Sequence, residues 1–329
     1  MAVIGNTALT LADWSKRVDP DGAVPDIVEI LNQSNEVLQD MLFVEGNLPT
    51  GHRTTVRSGL PSVAWRMLNY GIQPGKSTTV QVDDSCGMLE GLAVVDEALL
   101  NLNGNSAAFR MSEDAAFLEA MNQEMASTLI YGNTATDPKK FLGLAPRYND
   151  LTNASNKVNI IDAAGTGSDN TSIWLVGWGD KTCHGIFPKG SKAGIKNIDM
   201  GIELVSDGAG GQYRAARTHY KWDTGFVLRD WRYVVRIANI DVSNLVGESS
   251  ANDVIKSMIR AMHRIPNLGS CRPVFYMNRT VRQMLDIQAL NKSNSAVAVR
   301  PAAEQFKSDF LGIPIRTVDA ILNTEARVV

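Results

Sequence analysis

The chain has 329 residues, 44% of them hydrophobic and 20% charged, the values of an ordinary globular protein. A net charge of −3 argues against a broad nucleic-acid or acidic-membrane footprint, and no stretch approaches the ~18 apolar residues of a spanning helix. Three widely spaced cysteines, Cys86, Cys183 and Cys271, imply neither a disulfide framework nor a zinc module, so synthesis in a reducing cytoplasm is expected.

Residues 1–24 have no periodicity and read as an arm or loop. Pro25 suits a first helical turn, and Ile27, Ile30, Leu31, Leu38, Met41 and Leu42 share one face, which predicts a helix ending near Phe43–Gly46.

Gly46–Gly91 is punctuated by glycine and proline. It holds three short β-leaning pieces, Thr54–Arg57, Val63–Leu68 and Thr78–Val82, with a turn at Gly59–Leu60–Pro61. Pieces this short cannot bury a core of their own, so an extended loop leaning on another subunit is expected. Its charges are sorted: Arg53, Arg57, Arg66 and Lys76 come first, then Asp83, Asp84, Glu90, Asp96 and Glu97. The sorting fits a solvated loop with chance clustering. It also fits a basic arm that docks on an acidic patch of a neighbour, where charge fixes partner and register.

A helix is predicted over Ser112–Tyr131, with Ser112 as N-cap and Glu113 and Asp114 at the positive end of its dipole. Phe117, Met121, Met125 and Leu129 form its buried stripe, and Gly132, Asn133 and Pro138 end it. Further on, Ser172–Trp178 reads as a strand, and Glu203–Ser206 and Tyr213–Trp222 as a hairpin around DGAGG. Tyr233–Val242 is the strongest strand, β-branched and continuous enough to be central. Helices are predicted after a Ser250–Asp253 cap and after Asn278, the second approached through a short strand Val274–Met277. Phe310–Leu322 reads as strand again. Its FLGIPIRTVD shares Phe, Leu, Gly, Arg and Asp at the same offsets with FLGLAPRYND at Phe141–Asp150, suggesting two similar turn-into-strand devices. Elements mix without βαβ alternation, so the fold class is α+β.

Catalytic chemistry finds no anchor. Gly71-Ile-Gln-Pro-Gly75-Lys76-Ser77 has three residues between its glycines where a phosphate loop needs four, and a β-leaning run follows where a helix is required. Gly165-Thr-Gly167 lacks the third glycine of a dinucleotide fingerprint. His52, His184, His219 and His263 are scattered, and the neighbours Cys183–His184 suit a structural pair better than a dyad. No catalytic residue, metal or cofactor is expected.

Four segments are more specific. IYGNTATDPKKFLGLAPRY, SIWLVGWGDKTCHGIFPKGS, WRYVVRIANID and FLGIPIRTVDAI, together with the layout of arm, glycine-rich loop, long helix and mixed body, resemble the major capsid proteins of tailed double-stranded DNA phages. The likeness is to one short-tailed-phage capsid family and runs over most of Ser112–Leu322. It implies the HK-ninety-seven-type capsid fold, divided as N-terminal arm and helix at 1–45, extended loop at 46–92, peripheral domain at 93–248 with a spine helix at 112–131, and axial domain at 249–329. Ser172–Val242 precedes the axial-type helices, whereas the corresponding strands come last in the prototype, which implies a reordered topology. No Lys, Asn and carboxylate set can be matched to the prototype's isopeptide cross-link.

The function implied is a shell protein that self-assembles as pentamers and hexamers into an icosahedral head enclosing double-stranded DNA. Arg53, Arg57, Arg66, Lys76, Asp83, Asp84 and Glu90 are then expected at intersubunit contacts. The implied partners are further copies, scaffold, portal and cementing proteins, and DNA held by weak non-specific contact, with no membrane. The implied location is the virion, after synthesis in the cytoplasm of a bacterial host. An α+β enzyme with a site assembled from distant residues, or another virion component such as a portal or decorating protein, are the competing readings.

Overall fold

A computed structural model describes residues 33–101, 106–206, 210–246, 254–291, 297–302 and 305–329. The predicted arm at 1–24, the start of the predicted helix from Pro25 and the Ser250–Asp253 cap lie outside these residues.

The described chain runs from a one-turn helix α1 (Val37–Asp40) into strands β1 (Phe43–Glu45), β2 (Gly51–Gly59) and β3 (Thr78–Asp96). A short α2 (Glu97–Leu100) and the long α3 (Ser106–Tyr131) follow. The body continues with β4 (Ile160–Asp162), β5 (Asn170–Trp178), β6 (Cys183–Phe187), β7 (Lys196–Ser206), β8 (Gln212–Leu228), β9 (Val234–Asp241) and a one-turn α4 (Val242–Val246). It closes with α5 (Val254–Met262), β10 (Arg272–Met277), α6 (Arg279–Asn291), β11 (Val297–Ala302), β12 (Gln305–Phe310) and β13 (Ile313–Thr317).

All 13 strands among the described residues join one sheet, whose main path is β11-β12-β13-β10-β5-β6-β8-β3-β2. Strand β9 pairs with β5, and both are buried along their whole length, which suits the apolar Val234, Val235, Ile237 and Ile240 and obliges Arg236 and Asn239 to find partners inside the protein. Side chains alternate across these strands with period two and feed two cores. Trp174, Val176, Trp178, Val234, Val274 and Tyr276 join the α3 residues Met121, Met125 and Leu129. Ile173, Leu175, Val235, Ile237, Phe275 and Met277 join α5 and α6 through Val254, Ile255, Met258, Val281 and Leu285. The sheet is thus sandwiched between the long helix on one face and the two C-terminal helices on the other.

Several boundaries differ from the sequence reading. The helix expected to end near Phe43–Gly46 is, among described residues, only α1, because Phe43–Glu45 pairs with β6 as a strand. The long helix starts at Ser106, so Ser112 is interior and caps nothing, and Glu113 is buried. At the other end Gly132 stops it as expected: its N–H reaches Thr128 O at 2.7 Å, and a Cβ there would come within 2.5 Å of Phe141 O. Asn278 caps α6 as expected, its Oδ1 accepting from the Val281 N–H at 2.9 Å.

The two FLG segments do not share a conformation. Leu311 and Gly312 both have positive φ, 49° and 85°, and make the two-residue turn that pairs Phe310 with Ile313. Strand is therefore broken there into β12 and β13. Phe141–Asp150 forms no strand: Gly143 N–H bonds Gly132 O at 2.7 Å and the chain passes into a 3-10 turn at Ala145–Arg147. The echo survives in the arginines, each of which holds a carboxylate from an earlier part of the chain: Arg147 pairs with Asp84, and Arg316 with Glu36 and Asp40.

Candidate functional site

The feature that no single subunit explains is the hairpin made by β2 and the first part of β3. Gly51 to Gly59 pair antiparallel with Ser85 to Thr78. At Cys86 the 19-residue β3 changes partner and continues along β8, from Cys86↔Gly225 to Asp96↔Ala215. One strand, about 60 Å long, therefore forms both an edge of the projecting arm and a member of the body sheet. Residues 60–77 at the tip carry no strand, so the β reading of Val63–Leu68 does not hold. Leu60, Val63, Met67, Leu68, Tyr70 and Ile72 are exposed there, and Trp65 is completely so at 103%. An apolar patch of this extent in water marks a contact surface. The Gly71–Ser77 decoy lies on this exposed tip, and β3 follows it where a phosphate loop would have a helix.

The arm is fixed at its base. Asp84 is buried and pairs with Arg147 at 2.7 Å, and the Arg147 guanidinium lies 5.6 Å from the Phe226 ring centroid. Arg53 donates two 2.7 Å hydrogen bonds to Asp83, which hold that carboxyl below and that guanidinium above their ordinary values. Asn47 clamps the Arg53 backbone, accepting from its N–H at 2.7 Å and donating to its carbonyl at 2.8 Å. Glu90 meets Lys221 at 3.1 Å and His219 at 3.2 Å, and the Lys221 contact is the main cause of its lowered pKa. Of the seven residues expected at intersubunit contacts, Arg53, Asp83, Asp84 and Glu90 thus have partners within the chain. Arg57, Arg66 and Lys76 are exposed, and their side chains have no ion-pair or hydrogen-bond partner among the described residues.

Beneath the arm the buried pair Cys183–His184 is joined by His52, whose ring centroid lies 6.0 Å from that of His184. Both His52 nitrogens face donors, the Asn47 N–H at 3.3 Å and Arg229 at 2.8 Å; the neutral ring accepts at one of them, and the doubly protonated ring would accept at neither. Burial first, and Arg229 second, lower its pKa, and the same causes pull His184 down to about 4. The thiols of Cys86 and Cys271 are pushed up to about 11 by burial, and Cys183 further. Protonated thiols are poor nucleophiles and poor ligands. Among the described residues no group of three or more His, Cys, Asp and Glu side chains converges to hold a metal, and no helix is long and apolar enough to cross a membrane.

Two hollows flank the arm. A cleft of about 940 Å³ runs along β2 and is basic, lined by Arg53, Arg57, Lys181, Arg229 and Arg232 with Asp230. A smaller hollow of about 170 Å³ lies between β3 and α3 and is lined mainly by apolar groups from Gly87, Met88, Leu89, Met125 and Phe141. Sequence reading missed Trp65 and this second hollow. The signal in the sequence is the apolar run LPSVAWRMLNYG inside a glycine-punctuated stretch, of which only Val63–Leu68 has the composition of a strand.

The chain is similar to solved phage shells. A chain in the structure of bacteriophage Epsilon15 is 39% identical to it, covers 100% of this chain and 99% of its own length, and superimposes with a TM-score of 0.80. The capsid of bacteriophage JBD30 is 8% identical over 88% of this chain and 92% of its own, with a TM-score of 0.50, a likeness of fold alone. No curated protein matches the chain. The family model for major capsid protein GP7 matches residues 19–329. The α+β, HK-ninety-seven-type reading of the fold accords with these likenesses, and the role is that of a shell-forming virion protein and not an enzyme. The chain belongs to the major capsid protein GP7 family.

Proposed function

We propose that the chain assembles as pentamers and hexamers into an icosahedral phage head around double-stranded DNA, with the β2–β3 hairpin laid over an adjacent subunit. The observation that supports this reading most is the apolar tip, which the body of its own subunit leaves uncovered. In this reading the peripheral part contains α3 and the long hairpins, and the axial part contains α5, α6 and β10–β13. The peripheral and axial parts meet on the common sheet through β5 and β10. Arg53, Arg57, Arg66, Lys76, Asp83, Asp84 and Glu90 serve this contact in two ways, directly or by positioning the arm. Arg57, Arg66 and Lys76 meet carboxylates of the neighbour, while Arg53, Asp83, Asp84 and Glu90 set the stance of the arm through their partners within the chain.

The mildly acidic chain, at −3, confines DNA without gripping it. Scaffold, portal and cementing functions fall to other chains, and synthesis takes place in the host cytoplasm before incorporation into the virion. Replacing residues 54–82 by a two-residue turn and imaging the product tests the reading. A folded chain that no longer closes shells is expected, and normal-sized particles from the truncated chain would contradict the role of the arm.

A further inference from the structure

Trp65 exposes its whole side chain at the hairpin tip, beside the exposed Val63, Met67 and Leu68. Water is a poor environment for such a group, and a large aromatic that meets nothing in its own subunit is the kind of side chain that anchors an interface. The hollow between β3 and α3 has the complementary character. Its volume of about 170 Å³ is walled by Met88, Leu89, Met125 and Phe141. Apolar cavities of about 150 Å³ take up benzene, so this hollow has room for one aromatic ring system. Met88 stands exposed beside it, and a thioether packs well against an aromatic edge. Gly87 keeps the wall open, since a Cβ there would meet Lys139 O at 3.1 Å. The rim of the hollow is charged but balanced, with Glu124, Asp137, Lys139 and Lys140, and Glu124 is held by Lys140 at 2.6 Å, which leaves Asp137 as the carboxylate for the Arg66 that follows Trp65.

The tip cannot fill the hollow of its own subunit. From Ser85, next to the hollow, to Thr78, where the tip begins, the paired strand runs about 23 Å away from it. We propose that Trp65 of one copy seats in the hollow between β3 and α3 of the adjacent copy. The contact is heterologous, tip to hollow, so repeating it builds a ring or shell. The inference rests on the shell reading and adds to it the residue and the receptor of the arm.

The test uses full-length chains carrying Ala64→Cys, which keeps Trp65 in place, or Met88→Cys, mixed during assembly, mildly oxidised and run on a non-reducing gel. Shells of each variant alone control for the native Cys86. Covalent dimers in the mixture, in excess of either variant alone, are expected. In parallel, Trp65→Ala should raise the protein concentration needed for assembly by about tenfold or more, and Trp65→Phe by less. Shells without the excess cross-link, or Trp65→Ala shells forming at the native concentration, would overturn the seating of Trp65. A native chain that forms no shells would instead overturn the functional reading.

Discussion

Arg236 and Glu325, 89 positions apart in the chain, meet at 2.8 Å with each side chain only 4% exposed. Glu325 also accepts from Tyr131 OH at 2.5 Å and from Ser172 Oγ. Arg236 donates to Tyr148 O at 2.8 Å and lies 5.0 Å from the Trp174 ring centroid. One ion pair therefore fastens the C-terminal stretch, the end of α3, β5, β9 and the loop after the long helix. Removing either partner leaves the other charge buried and unpaired, a cost of about 3–5 kcal/mol. Glu325→Gln should lower the denaturation midpoint of the chain accordingly. Replacing both residues by leucine and methionine should cost less than either single change.

The two neighbouring aspartates of the arm should behave differently. Asp84 is buried against Arg147, so Asp84→Asn should destabilise the chain by about 3 kcal/mol and loosen the arm, read as faster amide exchange in β2. Asp83 and Arg53 are both about half exposed and screened by water, and Asp83→Asn should leave the denaturation midpoint and the amide exchange of β2 close to native. Equal losses at the two positions would contradict the anchoring role given to Asp84.

Truncation has a defined limit. Residues 54–82 belong to the arm, whereas Cys86–Asp96 pairs with β8 and belongs to the body. Removing 54–82 should leave the circular dichroism of a folded α+β chain. A deletion extended through Asp84 should melt at a lower temperature than the 54–82 deletion, because it leaves Arg147 without its carboxylate.

What the sequence reveals of this molecule follows the range of each interaction. The stripe Met121, Met125 and Leu129 and the Asn278 cap are local, and both are legible in the residues. The start of α3 is not, because Ser106–Met111 offers no cap contrast with Ser112. Val63–Leu68 has strand composition, yet its apolar residues stand exposed at the tip with no strand partner. The sorted charges of the arm were visible, but their in-chain pairing with Arg147, Lys221 and His219 depends on segments 63 to 131 positions away. The Arg236–Glu325 fastening lies beyond any pattern in neighbouring residues.

Acid should weaken the fold at the base of the arm. His184 is fully buried and neutral, with its pKa pulled to about 4 from an ordinary 6.5. Above pH 6.5 neither state binds the proton. As pH falls from 6.5 to 4, the unfolded chain takes it up and the folded chain does not, so stability drops, by up to about 3 kcal/mol. His184→Phe should flatten the fall in melting temperature between pH 7 and pH 4.5. An unchanged slope in that variant would remove His184 from the acid response.

The most direct measurement is size-exclusion chromatography with negative-stain microscopy on the full-length chain, expressed alone and together with its neighbouring gene products. Closed particles hundreds of ångströms across, or free pentamers and hexamers, are the expected result. A monodisperse monomer or dimer under every condition would contradict a shell built by the exposed arm.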